Sequence, residues 1–138
     1  MKAMTRRRYD NHSTEFGLWL RDQAEVESCR GYWATNLDFV WYNCRTGQWL
    51  LIEEKRYMRS IRRWQRQVFK TLHVAALSDP NYCGFFYICF EHTNPDDGIM
   101  WINNQLATKS ELVRLLQFDE AMLRKFSLPS NFFDAPDR

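Results

Sequence analysis

Thr35-Asn36-Leu37-Asp38-Phe39-Val40-Trp41-Tyr42 and Trp49-Leu50-Leu51-Ile52-Glu53-Glu54-Lys55 are the runs that decide the fold. Both are dominated by large apolar side chains of the kind enriched in strands. The segment between them, Asn43-Cys44-Arg45-Thr46-Gly47, has the composition of a tight turn. The pair therefore predicts a β-hairpin, with strands over 35–43 and 48–55. Both runs are apolar on both faces, which predicts strands in the middle of a covered sheet. Asp38 interrupts the first run, and Glu53-Glu54-Lys55 ends the second. Charge at the end of a hydrophobic strand is costly to bury and calls for a partner, a metal or a reaction. Side chains alternate along a strand, so Glu53 and Lys55 share one face and Glu54 takes the other. Pairing of the strands would bring Asp38 to the same place.

Outward from this hairpin the chain alternates in type. Ser13 or Thr14 can cap a helix through about Ser28, with Phe16, Leu18, Trp19 and Val26 as its apolar positions and Gly31 after it. A long helix is predicted over 57–77, broken by Asp79-Pro80-Asn81. Cys83 to Phe90 is a third strand, His92 to Gly98 a loop, and Ile99 to Ile102 a short fourth strand. Thr108-Lys109-Ser110-Glu111 matches a capping box and opens a helix to about Phe126, striped by Leu112, Leu115, Leu116 and Leu123. The expected fold class is α/β, a mixed central sheet flanked by helices. Residues 1–12 are expected to be a basic flexible arm, 13–127 a single domain and 128–138 an irregular tail.

The totals narrow the function classes. A chain of 138 residues with 16% aromatics can bury a real core. A net charge of +2 is too mild to prove a polyanionic partner, so its distribution matters more. No apolar run approaches a membrane span, and no apolar stretch follows Arg6-Arg7-Arg8 as a secretory signal requires. Cys29, Cys44, Cys83 and Cys89 are scattered, which predicts reduced, mostly buried thiols in a cytoplasmic or nucleoid-associated protein. Trp33, Trp41, Trp49, Trp101 and Phe85-Phe86 are expected mostly in the core. One or two of them could instead be a base-stacking platform or a dimer surface.

An acid on one strand followed by an acid-any-Lys triplet on the next resembles the PD-(D/E)XK nuclease superfamily. Asp38 takes the first position and Glu53, Glu54 and Lys55 the triplet, over roughly residues 13 to 80. Leu37 stands where the motif's name has proline. The resemblance implies a restriction-endonuclease-like fold, usually ordered αβββαβ. It also implies Mg²⁺- or Mn²⁺-dependent hydrolysis of DNA phosphodiesters. Asp38 and Glu53 would hold the metal, joined by the backbone carbonyl of Glu54. Lys55 would orient or help deprotonate the attacking water and stabilise charge on the phosphate. Many relatives add an acid from the first helix; Glu15 is the first candidate, with Glu25 and Glu27 competing. His12-x-x-Glu15 could also bind metal, although a surface histidine is the plainer account.

The helix after Lys55 carries a second signal. Seven basic residues and no acid occur from Lys55 to Lys70. Helical spacing puts Arg59, Arg62, Arg63, Arg66 and Lys70 on one face and Ile61, Trp64, Val68, Leu72 and Ala75 on the other. Such a stripe matches a phosphate backbone, bound with marked salt dependence and little sequence information. Gln65 and Gln67 lie on this helix's flanks; Gln67 is a candidate near the site, although an ordinary surface glutamine is the plainer account. Without a second domain to read sequence, cutting by DNA structure or as a homodimer is expected. The alternative is an inactive nuclease-like module that binds DNA or a protein.

Overall fold

A computed structural model describes residues 14–134, and the chain divides into two units, Met1–Thr35 and Asn36–Arg138. Arg6-Arg7-Arg8 and His12 lie outside the described residues. In the first unit, helix α1 spans Glu15–Arg21, and Thr14 caps it by accepting from the Gly17 N–H at 3.0 Å. The helix stops at Arg21 and does not run on to Ser28; two 3-10 turns, Ala24–Val26 and Ser28–Arg30, follow. No residue of α1 is buried, and Phe16 and Trp19 are exposed and stacked on each other. A helix without an apolar face to bury has little to extend it.

The second unit is built on five strands: β1 Phe39–Tyr42, β2 Trp49–Lys55, β3 Tyr82–Phe90, β4 Met100–Ile102 and β5 Gln105–Ala107. Their order in the sheet is the order in the chain. Strands β1 and β2 pair antiparallel, β2 and β3 parallel, and β3, β4 and β5 antiparallel. Helix α2, Arg63–Ala76, makes the crossover that the parallel pair requires. The unit is therefore mixed α/β. Among the described residues no strand precedes β1.

The sheet has two covered faces. On one, Leu50, Ile52, Phe86, Ile88, Met100 and Ile102 pack against Leu112, Leu115, Met122 and Phe126. The last four come from α3, Lys109–Leu116, from α4, Glu120–Lys125, and from the residue that ends α4. On the other face, Leu51, Phe85 and Tyr87 pack against Ile61, Phe69 and Phe132. Each such side chain contributes roughly 1.5–3 kcal/mol by leaving water.

Several sequence expectations change here. Strand β2 is central, but β1 is the sheet edge: Val40 is 64% and Tyr42 61% exposed, and all four β1 residues are open to solvent. The long helix starts at Arg63 instead of 57 because Tyr57 and Met58 adopt left-handed φ of 58° and 59°. Their N–H groups extend the pairing with the end of β3, donating to the carbonyls of His92 and Phe90. The inner face of α2 is Arg66, Phe69 and Ala76, one step round from the expected face, so Leu72 is exposed. The expected helix to Phe126 is two helices, parted where Phe118 takes φ 59° and Asp119 caps α4. The capping box of Thr108 and Glu111 is present at the start of α3.

Strand β5 was not foreseen; Asn103 and Asn104, at φ 47° and 68°, make a two-residue hairpin turn before it. The tail is not wholly irregular: a 3-10 turn at Phe132–Asp134 puts Phe132 in the core. Cys29 and Cys44 are exposed and Cys83 and Cys89 half-buried, so the thiols are free but not mostly buried. Phe85 and Phe86 are core, Trp49 and Trp101 are half-buried, and Trp33 and Trp41 are exposed.

Candidate active site

Antiparallel register sets the first contact. Phe39 faces Ile52, which brings Asp38 opposite Glu53 at the end of the hairpin. The Asp38 N–H donates to Glu53 Oε1 at 3.3 Å, and the Glu54 N–H donates to Asp38 Oδ2 at 2.8 Å. Lys55 Nζ lies 3.4 Å from Glu53 Oε2, as strand alternation requires for side chains on one face. Asp38, Glu53 and Lys55 are thus gathered at one strand end, with Glu54 contributing its backbone.

Helix α2 adds a residue the sequence left in the background. Gln65 Oε1 accepts from Lys55 Nζ at 3.4 Å and from the Arg62 N–H at 3.3 Å. One amide oxygen thus ties the lysine to the first turn of α2. Gln67, the favoured candidate, is exposed. The available signal was position: Gln65 is the third residue of a helix whose true start is Arg63, the place of a capping-box glutamine.

Glu53 is only 3% exposed, while Asp38 is open to solvent. Burial, and then the neighbouring Asp38 carboxylate, push the Glu53 pKa up to about 7, against the opposing pull of Lys55. Asp38 and Glu53 thus set two carboxylates side by side, Glu53 paired with Lys55. Their hard oxygens suit Mg²⁺ or Mn²⁺, which one or two protein carboxylates commonly hold, water and phosphate completing the shell. Among the described residues no three His, Cys, Asp or Glu side chains form a metal group. Glu15 opens α1 in the first unit, and Glu25 lies in the 3-10 turn after it. Glu27 caps the next turn.

A cleft of about 260 Å³ opens beside the carboxylates, lined by Asp38, Glu54, Lys55, Arg56, Tyr57 and Arg59. Arg56, which helical spacing left off the stripe, is in it. The rest of the stripe is rearranged. Arg59 precedes α2, Arg62 caps it and Arg63 begins it, all exposed. Arg66 is buried at 6% exposure, its Nη1 donating to the Ile61 carbonyl at 2.7 Å. Lys70 pairs with Asp134 at 3.1 Å. The exposed cations therefore crowd the strap 56–63 beside the cleft and do not run the length of a helix face.

Comparison with protein families, with curated proteins and with solved structures found no match. Among the described residues no helix is long and apolar enough to cross a membrane.

Proposed function

We propose that this chain is a metal-dependent endonuclease of the PD-(D/E)XK kind, with a restriction-endonuclease-like fold, that hydrolyses DNA phosphodiester bonds. The observation that carries this reading is the meeting of Asp38, Glu53 and Lys55 at one strand end beside a cleft rimmed by Arg56 and Arg59. The hairpin, the crossover helix and the parallel third strand also follow the later part of the αβββαβ order.

Asp38 and Glu53 would hold Mg²⁺ or Mn²⁺, with the Glu54 carbonyl as a further ligand. The bound ion would lower the pKa of a water and neutralise charge on the phosphate. Lys55, steadied by Gln65, orients the attacking water and stabilises the phosphate oxygens in the transition state. Arg56, Arg59, Arg62 and Arg63 hold the DNA backbone without reading its sequence. One such site cuts one strand, so the chain cuts by DNA structure or as a homodimer whose two sites address the two strands.

The test is cleavage of labelled single-stranded, duplex, flap and four-way-junction DNA with Mg²⁺, with EDTA, and by Glu53→Ala and Lys55→Ala. Metal-dependent cutting lost in both variants is the expected result. Binding without cutting, unchanged in the variants, would leave a DNA-binding module and overturn the enzyme.

A further inference from the structure

A second and larger cavity, of about 650 Å³, lies on the same sheet face, beyond the strap. Its floor follows from register. Lys55 pairs with Cys89, Cys89 with Trp101, and Trp101 with Leu106, so these side chains form one row across four strands. Neighbouring strands lie about 4.8 Å apart, which puts Trp101 about 10 Å across the sheet from Lys55. The half-buried Trp101 indole and Cys89 make the floor. Ser60 of the strap, Asn104 of the β4–β5 turn and Asn131 of the tail bring polar groups to the wall, and the buried Arg66 brings a positive charge. Among the described residues no acidic side chain lines it.

We propose that this cavity takes one unpaired nucleobase of the DNA strand being cut, the base next to the phosphate held at Lys55. The inference rests on the nuclease reading and deepens it: the substrate is single-stranded or frayed at the cut. Trp101 offers an aromatic face, which every base can stack on. Asn104 and Asn131 carry amides that both donate and accept, the match for a base edge. The volume lies within the usual 300–1,000 Å³ or so of small-ligand sites and is too small for a stacked duplex. The positive charge of Arg66, with no acid among the described residues of the wall, favours a base on an anionic strand over a cationic ligand.

The experiment is binding of single-stranded DNA carrying 2-aminopurine at successive positions, in EDTA so that nothing is cut. Wild type should quench the probe at one position. Trp101→Ala should abolish that quenching and weaken binding about tenfold or more, while Trp101→Phe retains most of both. Asn131→Glu, at the exposed rim and away from the core, should act like Trp101→Ala. An abasic site at that position should weaken wild type alone. Unchanged quenching in Trp101→Ala and Asn131→Glu overturns the proposal, as does wild-type cutting of internal duplex sites by Trp101→Ala without quenching. That second result leaves the nuclease standing. Quenching intact in a protein that cuts no DNA with Mg²⁺ overturns the nuclease and, with it, the placement of the base beside a cut phosphate.

Discussion

The two faces of the sheet are made from the same strands and are built to different ends. Against α3 and α4, the core is Leu, Ile, Phe, Met and Ala, and among the described residues the two buried charges, Glu53 and Arg66, lie on the other face. Against α2, the sheet buries Glu53 beside Leu51, Tyr87 beside Phe85, and Arg66 beside Phe69. The Tyr87 hydroxyl donates to the Arg59 carbonyl at 2.5 Å, so this face holds the strap through polar contacts. The first face stabilises the unit; the second gives up part of that stability to keep charge out of water at the cleft. Alternation along β2 makes the division possible, since each step of one residue changes the face.

Breaking the apolar face should cost most. Phe126→Ala removes a wholly buried ring and is expected to lower stability by about 3–5 kcal/mol in urea denaturation. Its cutting rate, measured where the variant is still folded, should stay within twofold of wild type.

Breaking the charged face should do the reverse. Glu53→Gln is expected to lose cutting at least a hundredfold yet gain stability. The folded-state pKa of Glu53 is raised from 4.5 to about 7, so the protonated acid is the better-tolerated form. Its contribution to stability is full below pH 4.5 and falls as pH rises to about 7. Denaturation in EDTA should therefore show no advantage for Glu53→Gln at pH 4 and about 1–3 kcal/mol at pH 8. Adding Mg²⁺ at pH 8 should stabilise wild type and leave the variant unmoved; equal stabilisation of both would sink the metal site.

Gln65→Ala sharpens the comparison by separating position from charge. The lysine keeps its charge and loses its tether, so cutting should fall by about tenfold while stability drops by roughly 1 kcal/mol. A pH–rate profile shifted relative to wild type would mark Gln65 as positioning Lys55; an unshifted profile with lost stability would leave it a helix cap. Smallest of all, Lys70→Ala removes an ion pair exposed on both sides and should leave the melting temperature unchanged.

The hairpin and the acids at its end were legible because composition, turn residues and alternation all point the same way. Centre and edge were not. Phe39-Val40-Trp41-Tyr42 is as apolar as Trp49-Leu50-Leu51-Ile52, and only the distant β3 decides which run acquires a second neighbour. Trp41 is held from another distant place, its Nε1 donating to the Leu116 carbonyl at 2.8 Å. The start of α2 was hidden because Tyr57 and Met58 are acceptable helix residues whose N–H groups are claimed by β3. That error rotated the expected helix face and put Arg66 in solvent, where an arginine in a basic run would normally be. Phe69 and Ala76, three and ten residues beyond it, were the signal for the true inner face.

Asn103 sets a limit on how this chain can vary. Its buried side chain accepts from the Tyr87 N–H at 2.8 Å and donates to the carbonyls of Phe85 and Phe126 at 3.0 and 2.7 Å. Its backbone also sits at φ 47°, where few side chains are at ease. Aspartate offers no donors, glycine fits the backbone but leaves all three partners open, and serine does not span the gap. In a saturation library screened for folded protein, position 103 should return asparagine almost alone, while its neighbour Asn104, exposed in the same turn, should also return glycine.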